Sequence, residues 1–442
     1  MDFIPNTNKD REAMLKEIGL KSISELFRDI PDRIILKDKL KIPASMSEVG
    51  LFELLKGISK MNKVDFSYFI GAGAYKHFIP SVVKHIVARS EFYTTYTPYQ
   101  PEMSQGILQA IYEYQTMICN LFGMDVSNAS LYDGATALAE SCIMASNITK
   151  RNEILVSRAI HPDYRQVVKT YCWAHNLKFV EVDYSDGVTS IDDLKLKINK
   201  RTATLLLQQP NFFGCVENLR GISDILHRNG SLLNVCVIEP TSLGILKPPG
   251  EHSDIVVGEG QSLGNPVSFG GPYLGIMATK HRYLRQLPGR LVGKTTDGNG
   301  NIGYILTLQA REQHIRRERA SSNICSNEAL CALAATVYLS ALGKNGLRKL
   351  AELCLYKAHY LADRLEEIGC SIVFEQEFYN EFLVKVKDAK TVSKKLLDSG
   401  ILGGLDIGVY YPELNNCLLF CVTELNTKEE MDRLVEIIRK CN

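Results

Sequence analysis

The sequence predicts an α/β protein: a large, mostly parallel sheet domain, a small C-terminal α/β domain and a helical N-terminal arm. Three observations predict it. Between residues 153 and 280, short β-rich runs alternate with helical ones, the pattern of a parallel sheet with helices on both faces. After residue 370, a shorter set of strands and helices follows two long helical stretches. Before residue 60, apolar residues recur at helical spacing, and Pro31 and Pro43 break the region into short pieces. The expected ranges are 1–60 for the arm, 61–325 for the large domain and 326–442 for the small one.

Composition narrows the class. The 442 residues carry 51 basic and 50 acidic side chains, a balance that argues against a nucleic acid as the main partner. Twelve cysteines are scattered without a CxxC pair, as in a reduced, cytoplasmic protein, and no metal site is expected. No apolar run approaches the roughly 20 residues that span a bilayer, and the start of the chain has neither secretory nor transit character.

The arm's Leu15, Ile18, Leu20, Ile23, Leu26 and Phe27 form a helical stripe that packs on a partner subunit or caps this chain's own body. In the segment 67–103, Gly71 and Gly73 open a loop and Pro80 starts a helix. Pro98 and Pro101 forbid a regular helix or central strand among Tyr93, Tyr96 and Tyr99. That loop is either a rigid interface element or one wall of a site shared with another chain. Ser104–Phe122 is a helix with Ser104 as its N-cap and Gly123 as its stop. Gly134-Ala135-Thr136 opens the next helix with backbone N–H groups free for an anion.

Strands are expected at Glu153–Val156, Phe179–Val182, Thr204–Leu207, Leu233–Ile238 and Ile255–Val257, with helices at Pro162–His175 and Leu219–His227. Sites in such sheets lie at the C-terminal ends of the strands. There the sequence places His161, Gln208-Gln209-Pro210-Asn211 and Glu239-Pro240. His161 either stacks on a ligand ring or is structural. Asp297-Gly298-Asn299-Gly300 turns a hairpin between Arg290–Thr295 and Ile302–Leu308. The charge run REQHIRRER, 311–319, reads as a solvated helix face or as a docking surface for an acidic partner. Two helices follow, about Glu328–Leu342 and Leu347–Ile368. The small domain then has strands at Ser371–Glu375, Phe382–Val386 and Cys417–Val422, and a last helix opened by the capping box Thr427–Glu430.

The strings FIGAGAYKHFIP, FYTTYTPYQPEMSQGILQAIYEYQTMICNLFGMDVSNASLYDGATALAE, QQPNFFGCVEN, PPGEHSDIVVGEGQSLGNPVSFGGPYLG and LPGRLVGKTTDGNGNIGYILTLQAREQHIRRERASSNICSN resemble the P-protein of the glycine cleavage system, in its two-chain bacterial form. The resemblance covers nearly the whole chain and is closest to the alpha type of subunit. It implies fold type I of the enzymes that use pyridoxal phosphate (PLP), and an activity that decarboxylates glycine and passes the aminomethyl group to the lipoyl arm of H-protein.

It also implies that PLP is held by a beta partner subunit, commonly in a doubled α2β2 assembly. In PLP folds the Schiff-base lysine follows the strand here read as Ile255–Val257, and that position falls on Ser262, which cannot form an imine. The aspartate that would pair with the ring nitrogen is here Glu239. The positions Gly134, Ala135, Thr136, His161, Glu239 and Ser262 are therefore expected to be vestigial. Tyr93, Thr94, Tyr96, Tyr99, Gln100 and Glu102 are expected to wall the site at the beta interface. Two alternatives stay open: a self-sufficient PLP enzyme using Lys247 or Lys280, and a scaffold that has kept only the fold.

Overall fold

The computed structural model describes residues 5–38, 40–324 and 328–441. The chain divides into two compact units, Met1–Val64 and Asp65–Asn442. In the first, helices Asn8–Glu17 and Glu48–Ser59 start on the side-chain caps Thr7 and Ser47, and neither helix contains a buried residue. Many of its large apolar side chains, Phe27, Phe52 and Leu55 among them, are exposed, while Leu15 and Leu20 are half-buried.

The second unit is built on a seven-stranded sheet: β1 (Val126–Ser127), β2 (Glu153–Ser157), β3 (Lys178–Val182), β4 (Thr202–Gln208), β5 (Leu232–Val237), β6 (Ile255–Glu259) and β7 (Gly275–Thr279). The order across the sheet is β1-β7-β6-β5-β4-β2-β3. The pairs β2–β3, β2–β4, β4–β5 and β5–β6 are parallel; β7 runs antiparallel to both β6 and β1. Strands β2, β4, β5 and β6 are buried along their whole length, which is why they read as unbroken apolar runs rather than alternating ones. Helices Gly134–Thr149 and Pro162–Ala174 contribute to one apolar core with β2 and β6, and the helix Gln105–Phe122 contributes to another.

The two helices expected after residue 328 form one element, Ala329–Glu366, interrupted at Gly343, where φ is 58°. Among the described residues it is long and apolar enough, by length and composition, to cross a membrane, which the sequence did not lead us to expect. Its Ala335, Tyr338, Ala351 and Leu361 are buried in the protein core. The C-terminal sheet has four strands, with Glu381–Lys385 and Cys417–Cys421 at its centre; its short strand Leu405–Asp406 carries no sequence signal. The strand Ser67–Phe69 pairs in parallel with Ile401–Gly403, so this part of the expected large domain joins the C-terminal segment. The boundary expected at 325/326 lies outside the described residues.

Of three local expectations, the first holds by position and the other two are corrected. Ser104 stands at the N-cap position but makes no side-chain cap. Pro80 is likewise the N-cap, and the helix begins at Ser81. The run 311–319 is not one helix face: a four-residue helix, Gln313–Arg316, is flanked by 3-10 turns and ended by Arg317 at φ 53°. Its first two members turn inward, with the Arg311 Nη2 donating to the Gly289 carbonyl at 2.7 Å and the Glu312 side chain 9% exposed.

Candidate functional site at the strand ends

The C-terminal ends of β2, β4, β5 and β6 gather the polar residues that the sequence singled out. Across them runs the segment Gly71–His77, which bonds to residues just past β2, β5 and β6. His161 places its Nε2 2.9 Å from the Ala72 carbonyl, and its Nδ1 accepts from the Asp163 N–H at 3.1 Å. Its ring packs edge-on against Phe212 at 4.9 Å. Burial lowers the pKa of this imidazole, against the pull of the Ala72 carbonyl. Both nitrogens are thus engaged, and the ring serves the structure.

Gln261 holds the next residues of the segment at two points. Its Oε1 accepts from the Tyr75 N–H at 2.8 Å and its Nε2 donates to the Tyr75 carbonyl at 3.0 Å. Glu381, from the C-terminal sheet, accepts from the Ala72 N–H at 2.6 Å and from the Tyr75 hydroxyl at 2.7 Å. Burial pushes this carboxyl up to about 7.

His77 closes the crossing. Its Nε2 lies 3.3 Å from Glu239 and its Nδ1 2.7 Å from Glu424. Burial alone would lower its pKa, but the flanking carboxyls, Glu239 foremost, hold it well above the ordinary range. The other Glu239 oxygen accepts from the Thr241 N–H at 3.0 Å and from the Thr241 hydroxyl. The extra carbon of Glu239 therefore lets its carboxyl fold back to cap its own 3-10 turn. His77, Cys354 and Glu424 have ligating atoms within 4.8 Å of one another. The 2.7 Å spacing of His77 and Glu424 is that of a hydrogen bond.

At the head of the helix Gly134–Thr149, the Gly134 N–H donates to Glu259 at 2.9 Å, and the Thr136 N–H donates to the Asp133 cap at 2.7 Å. Ala135 is buried. Glu259, the last residue of β6, also accepts from the N–H groups of Gln261 and Leu274, each at 2.9 Å. Burial raises its carboxyl to about 8, against the pull of these donors. Ser262 is 2% exposed, and its hydroxyl has no hydrogen-bond partner.

Lys76, Lys247 and Lys280 lie elsewhere. Lys76 is exposed, its ammonium 4.1 Å above the Tyr68 ring, and Lys247 is also exposed. Lys280 follows Thr279, which pairs with Ile255 at the start of β6, so it sits at the opposite edge of the sheet from the strand ends. A PLP molecule needs free phosphate donors, an acid facing its ring nitrogen and an amine. Here the donors at Gly134 and Thr136 and the acid Glu239 are paired within the chain, and the position where the sequence leads one to expect the amine is Ser262. The residues present do not fit the group.

The tyrosine loop forms a second locus. Tyr93 is 69% exposed and Tyr96 80%, so both are available to a partner. The Tyr99 hydroxyl accepts from the Arg290 Nη2 at 3.3 Å, and the Thr94 hydroxyl donates to the Ser90 carbonyl at 2.7 Å. Tyr93 and Tyr96 line a cavity of about 260 Å³ with Tyr114, Arg290, Glu328 and Leu333. Thr94, Tyr99, Gln100 and Glu102 do not line it, and Gln100 and Glu102 are exposed. None of the strand-end residues Gly134, Ala135, Thr136, His161, Glu239 or Ser262 lines this cavity. Sequence reasoning missed Glu259, Tyr75, His77 and Glu381. Only Glu259 left a usable signal: an acid at the end of an otherwise apolar strand.

The sheet order is that of fold type I, the fold of the PLP-dependent transferases. The alanine–glyoxylate aminotransferase of Nostoc sp. shares that fold at 18% identity and a TM-score of 0.58, over 86% of this chain and 96% of that one. Residues 1–438 match the family model of the glycine cleavage system P-protein, and the chain belongs to that family. A probable glycine dehydrogenase (decarboxylating) subunit 1 of Desulforamulus reducens is 52% identical over 98% of each chain. Its counterpart in Carboxydothermus hydrogenoformans is 51% identical over 99% of each. The crystal structure of a glycine decarboxylase (P-protein) of the glycine cleavage system, in inhibitor-bound form, superposes over 100% of both chains with a TM-score of 0.91 and 41% identity.

Proposed function

We propose that this chain is the alpha subunit of a cytoplasmic glycine-decarboxylating enzyme that works only with a beta partner of like fold. In this reading the partner carries the lysine and PLP, where glycine loses its carboxyl group as carbon dioxide. The aminomethyl group then passes to the lipoyl arm of H-protein, and the assembly is α2β2. This chain adds a wall to the shared site through Tyr93, Thr94, Tyr96, Tyr99, Gln100 and Glu102. Such a wall excludes water without carrying a reactive group.

The observation that carries the reading is Ser262: a buried, unpartnered hydroxyl where the fold's amine would stand, with Lys247 and Lys280 placed elsewhere. Two further features support it. The exposed apolar side chains of Met1–Val64 form an arm with no buried helical residue, suited to a partner's surface. The exposed tyrosines are residue types favoured at interfaces.

The test is borohydride trapping. The chain alone, with added PLP, should yield no covalent adduct. Glycine-dependent carbon dioxide release should need both chains. An adduct mapped to a lysine of this chain would overturn the reading, and full activity of the partner without it would make the chain an independent scaffold.

A further inference from the structure

Three backbone N–H groups from three separate elements converge on one carboxyl at the strand ends, Gly134 on one Glu259 oxygen and Gln261 and Leu274 on the other. Gly134 begins a 16-residue helix, Gln261 belongs to the loop after β6, and Leu274 precedes β7. A helix N-terminus joined by two further N–H groups is the arrangement that holds an oxyanion. One side chain takes all three donors, and Glu259 itself is 1% exposed. Gly134 is packed for this contact: a Cβ there would lie 3.0 Å from the Glu259 Cβ and 2.7 Å from the Tyr164 hydroxyl. The neighbouring acid, Asp133, is spent on the Thr136 N–H and hydroxyl.

We propose that Glu259 is an internal ligand, and that the chain contains a latent site for a phosphate-class anion held shut by that single side chain. The inference rests on the reading that this chain works without its own PLP, and extends it. The loss of the cofactor's amine is matched by a carboxyl that fills the phosphate's place. Replacing Glu259 by alanine removes its Cγ as well as the carboxyl and leaves three N–H donors facing the vacated space. A tetrahedral oxyanion can occupy that space with the same three hydrogen bonds.

The experiment uses the full chain assembled with its partner, and inorganic phosphate as the probe. Glu259→Ala should lower the Tm by several degrees. Millimolar phosphate should restore much of the loss, whereas sodium chloride at equal ionic strength should not. The wild-type assembly should show no difference between phosphate and chloride beyond any shift of its partner, measured in a control with the partner alone.

Glu259→Ser keeps a hydroxyl for one donor. It is the second variant should the alanine form fail to fold, and it should respond to phosphate in the same direction. Glu259→Gln fills the space and should lose stability without gaining a phosphate response. Equal shifts in phosphate and chloride for both small-residue variants would overturn the proposal. Borohydride trapping on the wild-type chain separates the two claims. An adduct there sinks the functional reading, whereas no adduct together with no phosphate response sinks this inference alone.

Discussion

Tyr75→Phe should cost stability in a pH-dependent way. The Tyr75 hydroxyl donates to Glu381 at 2.7 Å, and both residues are buried. Phenylalanine fills the same space, so no cavity opens and only the hydrogen bond is lost. Glu381 sits near 7, above the ordinary 4.5, mainly because of burial, while the Tyr75 bond pulls it down. A carboxyl raised in this way stabilises the fold fully below its unfolded pKa and loses that contribution as pH rises through its folded pKa.

Removing the tyrosine hydroxyl raises the folded pKa further, so the variant goes on losing stability past pH 7 while the wild type has levelled off. Near pH 5.5 the lost bond is neutral and worth about 1 kcal/mol; near pH 9 it is charge-assisted and worth roughly 1.5–3 kcal/mol. Urea unfolding followed by circular dichroism at the two pH values checks this. Tryptophan fluorescence is a poor probe, because Trp173 is 81% exposed. A destabilisation that is the same at both pH values, or below about 0.3 kcal/mol, would refute the reasoning, since an unpaired buried carboxylate costs more than that.

Other outcomes follow from the same contacts. Glu140 and Glu217 are raised to about 7 and Glu259 to about 8, each chiefly by burial. Stability should therefore fall between pH 5.5 and 8.5, by at most about 1.4 kcal/mol per pH unit for each group; a calorimetric Tm that climbs over this window would contradict it. Gly214→Ala should abolish soluble expression or cost more than about 3 kcal/mol, because Gly214 has φ +88° and a Cβ there would lie 1.9 Å from the Glu381 carbonyl oxygen. Tyr96→Phe and Tyr99→Phe should lower turnover of the assembled enzyme several-fold while gel filtration shows the pair intact; unchanged kinetics would remove the loop from the site.

The central sheet was legible because β2, β4, β5 and β6 are buried on both faces and so read as short apolar runs between turn signals. The break at Gly343 was legible as a helix boundary, but not as a kink within one element, because flanking helical turns merge across a single left-handed glycine. Arg311 and Glu312 were read as part of a solvated run. Their inward turn depends on the Gly289 carbonyl and on Arg290, 22 positions or so upstream, which no local charge pattern reveals. At the strand ends, Ser262, Glu239 and His161 could be named from the sequence, since each stands just past a recognisable strand. The residues that fill the place between them could not. Tyr75, His77 and Glu381 come from segments as far as 306 positions apart, and only the fold brings them together.

That filling answers a physical demand. On the proposed reading that this chain holds no PLP, its fold would leave a hole at the strand ends, and an unfilled void of roughly 300 Å³ would cost about 7 kcal/mol at some 24 cal/mol per Å³. This is comparable with the whole stability of an ordinary domain, about 5–15 kcal/mol. The segment Gly71–His77 pairs with Glu381 and Glu239 there, and Glu259 takes the N–H groups of Gly134, Gln261 and Leu274, so polar groups of the chain itself occupy the strand ends. Restoring the missing amine alone should therefore not restore the site. Ser262→Lys places an ammonium on a residue now 2% exposed, with the nearby donors and acids already spent, so burial should lower its pKa and the chain should lose stability. Borohydride after incubation with PLP should still leave the variant unlabelled at residue 262. A stoichiometric adduct there would mean that Gly71–His77 yields its place to the cofactor, and that the serine alone keeps this chain from holding PLP.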